Sequence, residues 1–334
     1  MYATQEEDLP IKDHTTHAPR MDQESHDECV IPTTPAFPEG FKAPVKLKVV
    51  NLIGVVLPFA GLIVAVSLLW NVAFNWQQLV ILLSMYLVTA LGITVGYHRY
   101  FTHRSFQTPR PIAALLSILG SMAAEGPVLQ WVAQHRCHHQ HSDHDHDPHS
   151  PHGHGDTVLD SIKGMWHAHM GWFIYKQPRN LDKYTKDLRN SRLIVWMSRL
   201  FPLWVLLGLL IPAMLGGLLT MSWSGVLWGF IWGGLVRIFL VHHVTWSINS
   251  VCHIWGTRPY NSHDESRNNA IFGVLALGEG WHNNHHAFPT SARHGLRWWQ
   301  IDVSYMIIWA MSKVGLASEV RVPSRERILA KRSR

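Results

Sequence analysis

VVNLIGVVLPFAGLIVAVSLLWNVAFNWQQLVILLSMYLVTALGITVGY, residues Val49 to Tyr97, contains no Asp, Glu, Lys or Arg. A second such block runs from Leu200 to Val236. A helix that crosses a bilayer needs about 20 consecutive apolar residues. Each block is therefore long enough for a hairpin of two spans. The spans are expected near Val49–Trp70, Gln77–Tyr97, Phe201–Met221 and Ser224–Thr245. Buried helices of a soluble protein would explain the blocks less well, because soluble helices carry a charged face.

Working outward, the short turns Asn71–Trp76 and Ser222–Ser224 carry no charge. Lys42, Lys46 and Lys48 precede the first span, Arg99 and Arg104 follow the second, and Arg199 precedes the third. The excess of cations on one side places both termini and the long central segment in the cytoplasm. The net charge is +6, much of it between Arg321 and Arg334, which reads as the same bias; attraction to anionic lipid headgroups is an additional use. No nucleic-acid-binding motif accompanies these cations. Cys29, Cys137 and Cys252 form no CxxC pair and no disulfide framework, which suits a reducing compartment.

The chain divides into three regions: a flexible polar tail over residues 1–44, a membrane domain over 45–327, and a basic tail over 328–334. His14, His17 and His26 belong to the first tail. Pro111–Ala124 is apolar but too short to cross, so it is expected as an interfacial or re-entrant helix. Gln140–Asp156 (QHSDHDHDPHSPHGHGD) reads as a loop, and its His141, His144, His146, His152 and His154 as solvated. Leu296–Lys313 reads as an amphipathic interfacial stretch, with Trp298 and Trp299 at headgroup level.

Histidines gather between the apolar blocks, in residues 98–200, and beyond them, in residues 246–327: HRYFTH at His98–His103, HRCHH at His135–His139, HNNHH at His282–His286, and NSVCH at Asn249–His253. Neutral imidazole ligates iron, zinc, copper and nickel. Residues three and four apart on a helix share a face, so His135, His138 and His139 can converge, as can His282, His285 and His286. Asn249 and His253 are four apart. His98 and His103 are five apart, about 140° around an ideal helix. They face one point only if the helix ends there; otherwise two sites lie on either side, which fits a binuclear centre. Nine histidines are too many for one ion, which takes about four ligands.

The set HxxxxH, HxxHH and HxxHH, with HAHMGW at His167–Trp172, NSVCHIWGTRPY at Asn249–Tyr260 and GEGWHNNHHAFP at Gly278–Pro289, resembles the membrane fatty-acid desaturases. Within them it is most similar to the Δ9 acyl desaturases related to stearoyl-CoA desaturase. The resemblance spans about Lys42 to Arg327. It implies an all-α integral membrane protein of four spans in two hairpins, capped by a cytoplasmic helical di-iron domain. The implied metal ligands are His98, His103, His135, His138, His139, His253, His282, His285 and His286, with Asn249 meeting the second iron through a water. The implied reaction takes two hydrogens from a saturated long-chain acyl group between C9 and C10, using O2 and two external electrons. Such chemistry needs a dry apolar tunnel that positions the chain, and Trp131, Trp172, Trp246 and Trp281 are candidates to line or close it.

Two departures bear on the substrate. Ala133 stands two residues before His135, where the animal acyl-CoA enzymes carry Arg. After HAHMGW, Lys176 alone replaces an Arg-Lys pair. A CoA headgroup is normally held by several cations, so a phospholipid- or carrier-bound acyl group becomes an alternative to acyl-CoA. No electron-carrier domain is expected in the short segments outside the match, so electrons are expected from a separate donor, ferredoxin-like or cytochrome b5-like with its reductase. An acyl hydroxylase of the same fold is one alternative. A histidine-rich metal transporter is another, but the two uncharged blocks lack the midplane ionisable residues that transport calls for.

Overall fold

The structure is a computed structural model that describes residues 60–333 apart from 66, 70–74, 156 and 176–180. The described residues form helices and isolated bridges, with no strand. Among the described residues, three helices are long and apolar enough to cross a membrane: α1 (Trp76–Thr102), α6 (Phe201–Thr220) and α7 (Trp223–His253). Of the expected first span, only part of the apolar helix Ala60–Leu69 is described. The 1–44 tail, Lys46, Lys48, Lys176 and Arg334 lie outside the described residues.

Between α1 and α6 lie α2 (Arg110–Met122), α3 (Val128–His141), α4 (Val158–Trp166) and α5 (Arg192–Arg199). After α7 come α8 (Ala270–Leu275), α9 (His282–Ala287), α10 (Val303–Lys313) and α11 (Arg325–Ala330). Asn75 caps α1 by accepting from the backbone N–H groups of Gln77 and Gln78. Leu203, Leu206, Leu210, Met214 and Leu218 of α6 all point outward. They fall three or four apart, one continuous apolar stripe that water would penalise and acyl chains would not.

The helices pack backbone to backbone. A Cβ on Gly229 would sit 2.0 Å from the Pro212 carbonyl oxygen, and one on Gly92 would sit 2.1 Å from the Gly120 nitrogen. Small residues at such crossings let membrane helices close on one another. α2 packs against both α1 and α6, as a short re-entrant helix must if it is to be covered.

The spans are not free of buried charge. The fourth expected span, Ser224–Thr245, reaches beyond the uncharged block and includes Arg237, which is fully buried in α7. Its guanidinium donates to the carbonyl oxygens of Gly233 (3.1 Å), Met122 (2.6 Å) and Gly208 (2.7 Å). Each acceptor has a reason to be short of donors. Pro212 has no N–H to give Gly208 four residues earlier, Met122 ends α2, and Gly233 lies in a π-helical stretch, Phe230–Val236. Arg237 therefore closes backbone gaps instead of marking a transport path. Arg99, expected among the cytoplasmic cations that orient the chain, is also fully buried. Its charge is committed to the interior, so the orientation argument rests on fewer exposed cations.

Arg237→Met should leave three buried carbonyls short of a donor and destabilise the fold by about 3 kcal/mol. The measurement is a thermal unfolding curve in detergent. An unchanged midpoint would mean that other donors reach these carbonyls.

Candidate metal centre

The ends of four helical segments deliver the histidines to one place. α1 finishes as a π-helix over Gly92–Thr102, and the His103 N–H donates to the His98 carbonyl at 3.1 Å, a five-residue step. The wide turn and the helix end bring both rings to one side. Their centroids are 4.8 Å apart, so the helix-end alternative holds and the two do not straddle separate sites.

Ring nitrogens of His98, His103, His135, His139 and His285 all lie within 4.8 Å of one another, and those of His138, His253, His282 and His286 form a second such group. Each HxxHH segment is thus divided, and its three rings do not converge. His135 and His139, about 40° apart on α3, enter the first group, while His138 turns to the second. On α9, His282 and His286 enter the second group and His285 the first. The groups touch, with the His139 and His286 rings stacked at 4.5 Å.

Carboxylates orient these rings. His98 Nδ1 lies 2.6 Å from Glu279. His253 Nδ1 lies 2.7 Å from Asp143, and His138 Nδ1 lies 3.0 Å from Asp147. His286 Nδ1 is hydrogen-bonded to Asp264. A neutral ring that donates through Nδ1 presents a lone pair on Nε2. Those Nε2 atoms face inward. His98 and His285 are 3.0 Å apart there, His285 and His139 2.9 Å, His135 and His139 3.1 Å, and His253 and His282 3.0 Å. Nε2 of His103, His138 and His286 is buried with no hydrogen-bond partner. Nitrogens ligating one ion at about 2.1 Å lie roughly 3 Å apart when adjacent. The residues therefore fit two metal ions.

Electrostatics agree. Burial, reinforced by neighbouring histidines, holds His103, His135, His138, His139, His282 and His285 well below the ordinary imidazole value. They are neutral at pH 7, the form that ligates. Burial alone would raise Glu279 and Asp264. Arg99 and His98 outweigh it at Glu279, and His286 does so at Asp264, so both carboxyls are held below their usual range.

A cavity of about 850 Å3, including its open mouth, reaches both groups through His98, His135 and His282. Asn249 lines it too, as do Trp131, Trp172 and Trp246. Trp281 lies elsewhere, its Nε1 donating to the Ile301 carbonyl at 2.7 Å.

A model of the fatty acid desaturase family matches residues 74–302. The chain belongs to that family. Among desaturase relatives it is 43% identical to a hex-5-enoyl-[acyl-carrier protein] acetylenase of Moorena producens, over 83% of this chain and 87% of that one. It is 42% identical to an sn-1 stearoyl-lipid 9-desaturase of Anabaena variabilis, over 76% and 87%. It is 35% identical to an acyl-CoA C20 Delta5-desaturase of Anemone leveillei, over 75% and 76%. This desaturase is a membrane protein and an oxidoreductase of lipid metabolism, with histidine clusters that can bind metal.

Several residues of the desaturase site carry no signal in the sequence. Gln140–Asp156 is more than a solvated loop. Its Asp143 and Asp147 side chains are 3% and 0% exposed, because they hold His253 and His138, and His149 lines the cavity. His144, His152 and His154 are exposed, as expected, although His152 Nε2 reaches the His253 carbonyl and His144 Nε2 the His263 carbonyl, both at 3.0 Å. His294 is buried 3.2 Å from Glu279. Glu125 lines the cavity and accepts from Trp131 Nε1 at 3.0 Å; burial pushes its carboxyl up to about 7, against hydrogen bonds from Thr245 and Trp131. Most of these lie inside or beside the quoted motifs, but their role is set across the chain and has no spacing to reveal it.

Asp264→Asn keeps the shape but not the anionic acceptor for His286. Metal affinity should fall about 10–100-fold, read by elemental analysis during a chelator titration. Unchanged retention would mean that packing alone orients His286.

Proposed function

We propose that this desaturase introduces a double bond between C9 and C10 of a saturated long-chain acyl group. The balance is –CH2–CH2– plus O2, two electrons and two protons, giving –CH=CH– and two waters. The observation that carries this reading is the apolar cavity that runs against both histidine groups. Two iron ions would be held, one by His98, His103, His135, His139 and His285, the other by His138, His253, His282 and His286. Asn249, one turn before His253 on the cavity wall, would complete the smaller set through a water. When bound, the iron pair supplies the oxidant that an unactivated C–H bond requires.

The chain's own residues position and exclude. Ile93, Val241 and Val244 give the acyl chain apolar contact, and Trp131, stacked on His135 at 4.9 Å, closes the wall beside the metal groups. Holding two methylenes against the centre and away from water selects the bond that reacts. A lipid-bound acyl group is favoured over acyl-CoA. Ala133 is buried where a phosphate-binding Arg would stand in the CoA-type enzymes, and two relatives are named stearoyl-lipid 9-desaturases. The metal centre and both termini lie on the cytoplasmic side, and electrons come from a separate donor. A second reading, formation of a triple bond on a carrier-bound chain, is favoured by the Moorena relative.

The test is expression in a desaturase-deficient host, with double-bond positions determined by mass spectrometry in acyl-CoA and glycerolipid fractions. Δ9 monoenes appearing first in glycerolipid are expected. Alkynes would favour the second reading, and hydroxylated chains a hydroxylase. His285→Ala and His138→Ala should each abolish product while membrane insertion is retained; near-normal turnover in either would remove the ligand assignment.

A further inference from the structure

The proposed reaction draws two electrons from outside the chain, so a carrier must reach the centre. Residues 317–333 form a strap whose backbone is tied to the segments around the metal groups. Ser318 and Gln107 exchange backbone hydrogen bonds of 2.9 and 2.8 Å. The Arg321 N–H donates to Ser105 and its carbonyl accepts from Ala292, both at 2.8 Å. Near its end, the Asn261 N–H donates to Lys331 at 2.8 Å, and Ser333 N–H donates to Pro259 at 2.9 Å. All these partners come after the ends of α1 at Thr102 and α7 at His253, so the strap lies with the metal-bearing loops and not along the spans.

The strap is also strongly cationic. It carries five cations, Arg321, Arg325, Arg327, Lys331 and Arg332, against Glu319 and Glu326. All five are exposed, and none forms an ion pair among the described residues. Val322 and Leu329, half-exposed, lie among them. Lys331 Nζ donates to the Ala287 carbonyl at 2.7 Å, and Ala287 is the next residue after His286. The cationic surface is thus one hydrogen bond and one peptide unit from a histidine of the second group.

We infer that this strap is the docking surface for an acidic one-electron carrier protein, an inference that rests on the desaturase reading. Unpaired cations around a few apolar side chains suit a small, transient redox interface, steered by charge and released after transfer. The short connection to His286 gives the electron an entry that avoids the acyl cavity. An anionic bilayer surface is the competing occupant, so vesicle binding is measured beside carrier binding to separate the two.

The test uses the full chain in lipid nanodiscs, with a [2Fe–2S] ferredoxin and, separately, a soluble cytochrome b5 domain as probes. The variant Arg325→Gln, Arg327→Gln, Arg332→Gln is compared with Arg325→Lys, Arg327→Lys, Arg332→Lys. The glutamine variant should bind the carrier at least about tenfold more weakly, with KM for the carrier raised equally. Its rate with reduced methyl viologen, which needs no docking, should be unchanged. The lysine variant should bind as the unaltered chain does, and salt should weaken the unaltered chain more than the glutamine variant. Equal carrier binding by the glutamine variant, or binding of neither probe by the unaltered chain, overturns the proposal. So does loss of affinity for phosphatidylglycerol vesicles in place of carrier affinity, which would assign the strap to lipid. Loss of viologen-driven activity in both variants would assign it to folding. If the unaltered chain makes no product with either reductant, the desaturase reading fails, while the binding titration still decides the docking surface.

Discussion

Inward-facing imidazole lone pairs, held about 3 Å apart in a buried pocket, are the constraint on which the rest depends. Neutral rings in that arrangement repel unless protons or cations lie between them, and Asp143, Asp147, Asp264 and Glu279 bind the Nδ1 side of four rings. Those carboxylates settle the tautomer, and the tautomer settles what the pocket can hold. A buried polar group without a partner costs free energy, so a pocket with several bare Nε2 atoms is a poor folding solution and a good metal site.

The scaffold is built to deliver that pocket at a helix end. Arg99, wholly buried, ties the last turns of α1 to the loops on either side of α9. It donates to the Thr94 and Ala292 carbonyls, pairs with Glu279, and reaches Asp302 at 3.0 Å. One guanidinium thus aligns the first histidine segment with the last. Arg237 plays a parallel part within the spans, where a proline, a helix end and a π-helical stretch leave carbonyls to satisfy. In both places a charge inside an apolar domain serves the backbone, because hydrocarbon offers no water to do so.

The same pocket opens on one side to an apolar cavity, and Lys331 of the cationic strap reaches Ala287, next to His286. On the proposed reading, acyl chain and electrons would reach the metal groups along separate routes. Such a separation would keep a charged carrier away from a cavity whose proposed use depends on being dry.

The sequence by itself determined the membrane character, the helical class and the set of histidines. Two uncharged blocks are long enough to cross a bilayer, and imidazoles recur at helical spacing beside them; both signals are local and periodic. Tertiary structure alone decided how the set divides. His138 parts from His135 and His139, and His285 from His282 and His286, because neighbouring rings on one helix face different partners across the fold. It also decided that His98 and His103 share a group, since a π-helical end changes the angle that an ideal helix assigns to five residues. The carboxylates that orient the rings, and the role of Arg237, arise between segments far apart in the chain. A hydrogen bond of that kind has no period, so only the folded arrangement reveals it.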